Sequence, residues 1–541
     1  MYKVLVSDPI SDTGIQALTD HPDFLVEKQT NLTPDQLKSI IGEYDALIVR
    51  SQTTVTAEII QAADRLKVIA RAGVGVDNID IQAATRKGVI VVNAPNGNTI
   101  AATEHTLAMM LSLARQIPHA YISMTEGKWD RKTFKGVELF EKTLGVIGTG
   151  RIGTEVAKRA KSFEMNILAY DPYLTEEKAQ KLGFTKASLD EIAEQADFIT
   201  VHTPLTKETK GLIDANYLSK TKPGVRIVNC ARGGIIDEAA LAEAVKSGHV
   251  AGAALDVFEH EPLDNETFRH HPNIIVTPHL GASTAEAQEK VAQSVSEEII
   301  DIFTSQNIQH AINVPRMSAE VQQKMKPYLE LGDQIAQLVI QLFKKAPDKI
   351  TVDYYGDLIE EDTGLLTRTL IKGILSYHLS DSVNIINVLQ LLKEQGLTYT
   401  VQKNASRHGF ANYMSLTLHH GSETATIGAT VLNGFGGRIV NINDYRIDLI
   451  PERYMLSIRH FDVPGMIGRV GSILGENGVN IGNMQVGRKA VGGEAIMMLT
   501  VDKPVDNQVI DKLLTLPDLE HVQLVEIKDD ETSNHTEEAV H

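Results

Sequence analysis

Gly148, Gly150 and Gly153 stand as G-x-G-x-x-G directly after the apolar run TLGVI and at the start of a helical pattern. Bare of side chains, they permit a tight turn, close approach of backbone to a pyrophosphate and packing of helix on strand, while the helix N-terminus offers N–H donors to phosphate. Asp171 ends the next apolar run, where a carboxylate would accept from adenosine ribose hydroxyls. Pro172 and Tyr173 follow it, not arginine, which favours NAD over NADP.

Three further positions carry chemistry: Arg232 in NCARGGIIDE, Glu261 in LDVFEHEP and His279 in TPHLGAS. Each lies just past an expected parallel strand, so one carboxyl edge of a sheet could gather them. Reducing a 2-keto acid requires a hydride donor, a fork for the carboxylate and a proton donor for the new alkoxide. Arginine presents two parallel N–H groups to a carboxylate. Histidine titrates near the operating pH and can give or take the proton. A carboxylate beside it would orient the ring and favour the charged form, and Glu261 is the candidate. Singly, each has a plainer use: Arg232 as a helix cap, Glu261 as a surface acid, His279 as a donor to a backbone carbonyl.

The elements around these residues alternate strand and helix. Val4 to Val6, Ala46 to Val49, Val68 to Ala70 and Val89 to Asn93 read as strands of parallel βαβ units. Residues 100 to 117 read as one long helix bridging two lobes. TLGVI, FITVHTP, VRIVNCARGG, VAGAALDVF and NIIVTPH give a second parallel sheet, and a helix near 283 to 303 leads to AINVP, which could return the chain to the first lobe. Helices near 331 to 345, 364 to 377 and 383 to 394 then mix with strands near 349 to 355, 398 to 403, 413 to 418 and 423 to 431. Residues 454 to 526 parse as βαββαβ, the ferredoxin-like order. The tail from 527 to 541 is acidic, lacks apolar periodicity and is expected to be disordered.

A chain of 541 residues exceeds one hydrophobic core and should divide into three or four domains. A formal net charge of −18 argues against nucleic acid or an anionic membrane as partner, so an anionic substrate must meet a local cationic cluster. One cysteine, Cys230, forbids an intramolecular disulfide and an all-cysteine metal site, and no metal site is expected. The opening MYKVLVSDP reads as a strand rather than a signal peptide, and no apolar run reaches the length of a membrane span. A cytoplasmic protein fits these features.

GTGRIG, YDP, VHTPLT, NCARGGIIDE, ALDVFEHEP and TPHLGAST, in that order, resemble the D-specific 2-hydroxyacid dehydrogenase family. RAGVGVDNID and NAPNGNT are similar to its phosphoglycerate dehydrogenase branch, and RHFDVPGMIGRVGSILGENGVNI resembles an ACT regulatory domain. The resemblance implies an α/β fold of two doubly wound lobes, with a Rossmann NAD domain (99–285) inserted in a flavodoxin-like substrate domain (1–98 and 286–314). An α+β intervening domain (315–450) and the ACT domain (452–526) follow. It implies NAD-dependent oxidation of 3-phospho-D-glycerate to 3-phosphohydroxypyruvate, the entry step of L-serine biosynthesis, in a homodimer or homotetramer regulated by serine. Arg232 would bind the substrate carboxylate, His279 act as acid/base and Glu261 partner it. NAD would be held by the three glycines with Arg151, Ile152 and Asp171, by Val74, Thr203 and the run Cys230, Ala231, Arg232, and by Asp256, His279, Gly281 and Ala282. Substrate would meet Arg50, Ser51, Gly73, Gly75 and Asn98. Serine would meet His460, Asp462 and Asn480, although Val463 stands where the family often has a basic residue. The trio is shared across the family, so glyoxylate, lactate or 2-oxoglutarate are alternative substrates. An NAD-sensing binding protein is the alternative from another class.

Overall fold

The computed structural model of the chain describes residues 1–305, 307–315, 319–379, 383–406 and 409–528. Five strands, β1 (Tyr2–Val6), β2 (Phe24–Lys28), β3 (Ala46–Val49), β4 (Val68–Arg71) and β5 (Ile90–Asn93), form one all-parallel sheet in the order β2-β1-β3-β4-β5. β3 and β5 are buried on both faces, which is why their sequences, ALIV and IVVN, are apolar runs and not alternations.

A second parallel sheet holds β6 (Thr143–Ile147), β7 (Asn166–Tyr170), β8 (Thr185–Lys186), β9 (Phe198–Val201), β10 (Val225–Asn229), β11 (Val250–Leu255) and β12 (Ile274–Val276). Its order, β12-β11-β10-β9-β6-β7-β8, reverses direction beside β6, and that switch point is where the glycine turn emerges. Helix Thr99–Arg115 connects the sheets and buries Leu107, Met110 and Leu113 against the second core. It stops two residues short of the expected end. Gln116 takes a left-handed φ of 53°, and a separate helix, Ile117–Thr125, follows with no buried residue.

Helix Ala285–Thr304 brings the chain back, packing Val291, Val295 and Ile299 among Val4, Val6 and Val68. The run AINVP does rejoin the first sheet: Ile312 N–H donates to the Val91 carbonyl at 2.8 Å, and Asn313 bonds the backbone of Val91 and Val89. The result is two doubly wound lobes, most of whose strands deliver their carboxyl ends to loops carrying residues of the site. β1, β3 and β4 deliver Asp8, Arg50 and Arg71, whereas β6, β7, β9, β10, β11 and β12 deliver Gly148, Asp171, Thr203, Cys230, Asp256 and His279.

Beyond, β13 (Lys349–Gly356), β14 (Thr398–Asn404), β15 (Asn412–His420), β16 (Glu423–Leu432), β17 (Gly436–Ile442) and β18 (Tyr445–Leu449) form a mixed sheet ordered β14-β13-β15-β16-β17-β18. Helices Ala319–Phe343 and Gly364–Leu379 cover it. The first is longer than the sequence pattern suggests and contains Pro327; the strands β17 and β18 are additional to those expected. Last come β19 (Tyr454–Phe461), β20 (Ile481–Arg488), β21 (Glu494–Val501) and β22 (Leu519–Glu526), an antiparallel sheet ordered β20-β21-β19-β22 with helices Met466–Glu476 and Asn507–Leu514. This is the ferredoxin-like arrangement. Its other face, through Met455, Ile496, Met498 and Val525, shares one core with the preceding unit. Ile527 is buried and Lys528 bonds Gln337, so order reaches past the expected start of the tail; residues 529–541 lie outside the described residues. Among the described residues no helix is long and apolar enough to cross a membrane.

Candidate active site

The glycine turn sorts by what a side chain would meet. A Cβ on Gly148, whose φ is +96°, would come within 2.6 Å of the His202 carbonyl oxygen, and one on Gly153 within 2.0 Å of the Gly148 carbonyl oxygen. Those two glycines are demanded by the protein's own packing. A Cβ on Gly150 would meet nothing within 4 Å, so it borders open space at the helix terminus, which is where a phosphate must approach. Helix Arg151–Ser162 begins on Gly150 without a side-chain cap, while helices starting at Leu189, Ala215, Glu238 and Ala285 are capped by Ser188, Asp214, Asp237 and Thr284. Its first N–H groups are therefore left for an anion. Asp171 accepts the Thr149 N–H at 2.9 Å and the Tyr173 N–H at 2.9 Å, which ties the acid to the turn. Thr203 Oγ1 is buried without a partner, a polar atom that a bound group can satisfy. Burial pushes His202 down to about 4, so this neighbour of the turn adds no charge at neutral pH. These features fit a dinucleotide.

Past β10, Asn229 shapes the next loop by donating to the Arg232 carbonyl at 2.9 Å and accepting the Ala231 N–H at 3.0 Å. Cys230 is buried, and that burial pushes its thiol up, so it is no thiolate nucleophile. The Arg232 guanidinium bonds the Ala231 carbonyl and lies 3.3 Å from the Asp77 carboxylate of the other lobe. Gly75 makes this possible, since a Cβ there would stand 2.2 Å from Arg232 Nη2.

His279 Nδ1 and Glu261 Oε2 are 2.8 Å apart. Glu261 Oε1 accepts the Phe258 N–H, so the carboxylate is itself oriented. Burial raises the Glu261 carboxyl, but the hydrogen bond and charge of His279 outweigh it and leave the group below the usual carboxylate range. His279 holds a left-handed φ of 55°, unusual for a side-chain-bearing residue, and its N–H donates to the Asp256 carbonyl. Asp256, expected at the cofactor, is 0% exposed beneath this loop. Its carboxylate accepts from Thr277 Oγ1, Leu280 N–H and Gly281 N–H, with His105 Nε2 at 3.2 Å. Its direct work is on the loop that presents His279, Gly281 and Ala282.

In the first lobe Gly73 accepts the Ala94 N–H, the Val74 carbonyl accepts Asn93 Nδ2, and Asn98 starts the connecting helix with a buried, unpartnered Oδ1. Arg151 Nη1 reaches the Pro95 carbonyl at 3.1 Å, linking the glycine turn to this lobe, while Ile152 packs inward on the second core. Arg50 and Ser51 follow β3. The structure adds Arg71, which motif reading missed. Its Nε is buried with no partner, and burial, then repulsion from Arg232 and Arg50, pushes it down to about 10. The guanidiniums of Arg232 and Arg50 thus bear on Arg71, with the carboxylates of Asp77 and Asp8 opposing them, and a bound anion would add to that opposition.

The regulatory candidates are not gathered within one chain. His460 and Asp462 lie at the carboxyl end of β19, where Phe461 pairs with Glu494; Asn480 precedes Ile481, which pairs with Val501 at the other end of β21. That is about 23 Å along the strand. Asp462 bonds Arg488, Asn480 bonds Asp502, and His460 is 3% exposed with Nε2 unpartnered. Among the described residues no cluster of His, Cys, Asp and Glu could hold a metal ion.

Residues 107–281 match the D-isomer specific 2-hydroxyacid dehydrogenase NAD binding domain, 324–443 the D-3-phosphoglycerate dehydrogenase intervening domain, and 454–518 the ACT domain. The chain is 47% identical over 529 residues to the D-3-phosphoglycerate dehydrogenase of Bacillus subtilis, covering 97% of this chain and 100% of that one. It is 42% identical over 528 residues to the Methanocaldococcus jannaschii protein of the same name, covering 97% and 100%. NAD⁺-bound 3-phosphoglycerate dehydrogenase of Entamoeba histolytica matches 58% of this chain and 99% of its own at TM-score 0.50 and 29% identity. A glyoxylate reductase matches 57% and 98% at TM-score 0.53 and 28% identity, so the two-lobed fold by itself does not choose a substrate. Near-complete coverage through all the units does choose the family: the chain belongs to the D-3-phosphoglycerate dehydrogenases, within the D-isomer specific 2-hydroxyacid dehydrogenases.

Proposed function

We infer that the chain oxidises 3-phospho-D-glycerate at C2 to 3-phosphohydroxypyruvate, the entry step of L-serine biosynthesis. The observation that carries the reading is that Arg50 and Arg232 lie close enough to Arg71 to depress it, while Arg232 follows β10 and the Glu261–His279 pair follows the adjacent strands β11 and β12 of the same sheet. A substrate with a phosphate at one end and a carboxylate at the other matches that charge. We assign the phosphate to Arg50, Ser51 and Arg71, and the carboxylate to Arg232 with the backbone at Gly73 to Gly75. Asn98 Oδ1 is an acceptor for a substrate donor.

The Gly148–Gly153 turn, with Asp171 at the ribose and with Thr203, Cys230 to Arg232, Val74 and the 279–282 loop toward the nicotinamide, would hold NAD, which when bound would supply the hydride acceptor for C2. Glu261 engages His279 Nδ1, leaving Nε2 to take the hydroxyl proton; Glu261 thereby fixes ring orientation and balances the imidazolium that results. Arg232 holds the carboxylate so that C2 is presented in one hand. Closing the lobes, with hinges at 95–100 and 285–300, would exclude water. This reading divides the chain at 1–98 with 286–314, 99–285, 315–450 and 452–526. It places serine between ACT modules of two copies, since His460 and Asn480 can share a ligand only if a second chain supplies one of them, and it fits a cytoplasmic homo-oligomer. Initial rates with 3-phosphoglycerate and either NAD or NADP test it: NAD turnover that His279→Gln cuts by about 10²-fold or more is expected, and no turnover by the unaltered protein would refute it.

A further inference from the structure

The loop from Arg50 to Thr53 carries two of the side chains assigned to the phosphate, and the inference made here rests on that assignment. Its shape is dictated from below. Asp8, just past β1, is 2% exposed. Its Oδ2 accepts the N–H groups of Arg50 at 2.6 Å, Gln52 at 3.2 Å and Thr53 at 3.2 Å, and its Oδ1 accepts the Thr53 hydroxyl. From the other side, Asn78 Nδ2 donates to the carbonyls of Arg50 at 2.7 Å and Thr53 at 2.6 Å. Ser7 Oγ donates to Thr53 Oγ1 at 3.0 Å. The loop is therefore pinned through both its donors and its acceptors.

Successive backbone N–H groups in a turn make a concavity that can itself bind phosphate. Here that concavity is filled by the protein's own carboxylate. Ser51 alone is skipped: it is exposed, and among the described residues its N–H and hydroxyl have no partner. A phosphate reaching this loop meets Ser51 and the Arg50 side chain, and cannot sink into the amides of 50, 52 and 53.

We propose that Asp8 is the positioning residue for recognition of the substrate's phosphate. It occupies the anion-binding amides of the 50–53 loop and so sets where Arg50 and Ser51 meet that group. Asp8 touches neither substrate nor cofactor and acts through the loop.

The test compares kcat/KM for 3-phosphohydroxypyruvate and for hydroxypyruvate in the unaltered protein, Asp8→Asn and Thr53→Val, with thermal unfolding of each. Asp8→Asn turns one acceptor oxygen into an amide that faces the loop's N–H groups. The expected result is a fall of about tenfold or more in the ratio of the two kcat/KM values, arising in KM for the phosphorylated acid, as loss of a charge-assisted hydrogen bond predicts. Thr53→Val should lower the ratio less. An unchanged ratio in a folded Asp8→Asn protein overturns the proposal, as does an equal loss on both acids. If Asp8→Asn does not fold, an unchanged ratio in Thr53→Val overturns it. An unaltered protein that prefers the unphosphorylated acid overturns the phosphate assignment itself; a strong preference that survives Asp8→Asn overturns only the role of Asp8.

Discussion

At the scale of single residues, chemistry and binding fall to different side chains. His279→Gln should cut kcat by about 10²- to 10⁴-fold, the usual worth of a positioned acid/base, while cofactor affinity measured by NADH fluorescence changes little. Glu261→Gln keeps a hydrogen-bonding side chain beside the ring but loses its charge, and should lower kcat less than His279→Gln does. Arg71→Ala should raise KM for the phosphorylated acid by about tenfold or more with a smaller change in kcat, as loss of a charge-assisted contact made in both ground and transition states would; a pure kcat effect would refute its binding role. Arg232, Glu261 and His279 could be singled out in the sequence because each sits in a motif that resembles the family's and lies a few residues past a strand. Arg71 could not, because an arginine ending a run of VIAR looks like any solvated residue until the fold buries it beside Arg50 and Arg232. Asp256 was legible as a position at the site; its hold on the 277–281 loop was not, since that depends on contacts between strand ends.

At the scale of elements, the glycine turn gives a graded prediction. Gly153→Ala and Gly148→Ala collide with backbone and should destabilise the fold, whereas Gly150→Ala should fold normally and weaken NADH binding, since its Cβ enters only the open cradle. Equal Tm losses at all three positions would contradict the sorting. Asp256 predicts a pH dependence. Burial raises its carboxyl, but bonds from His105, Thr277 and Leu280 leave it below the usual range. A depressed folded pKa contributes stability above the unfolded value, near 3.9, and loses it as pH falls through the folded value. The Tm gap between the unaltered protein and Asp256→Asn should therefore narrow as pH drops below about 4. The buried central strands were readable from sequence as continuous apolar runs. β2 was not, because FLVEK lies at the sheet edge and is only partly buried, and the helix Ala319–Phe343 read short because Pro327 interrupts the pattern without ending the helix.

At the scale of the molecule, the C-terminal half is anchored to the first lobe rather than trailing from it. Ile386 is 5% exposed within the core formed by Val291, Val295 and Ala311, Asn384 Nδ2 donates to the Gly88 carbonyl at 3.1 Å, and Arg86 pairs with Glu394. Ile386→Ala should cost about 2–5 kcal/mol by opening a cavity between two units, read as a lowered Tm of the catalytic half, which separate folding of the halves would leave unmoved. No local pattern announces such a contact, since it joins residues far apart in the chain. The grouping of Arg50 and Arg232 around Arg71 should make the enzyme select a phosphorylated 2-hydroxy acid. This selection is tested most directly by following NADH consumption with 3-phosphohydroxypyruvate, hydroxypyruvate, glyoxylate, pyruvate and 2-oxoglutarate in turn. The account predicts a kcat/KM for the phosphorylated acid at least about a hundredfold above the others, the worth of one or two charge-assisted contacts; equal or faster turnover of any unphosphorylated acid would contradict it.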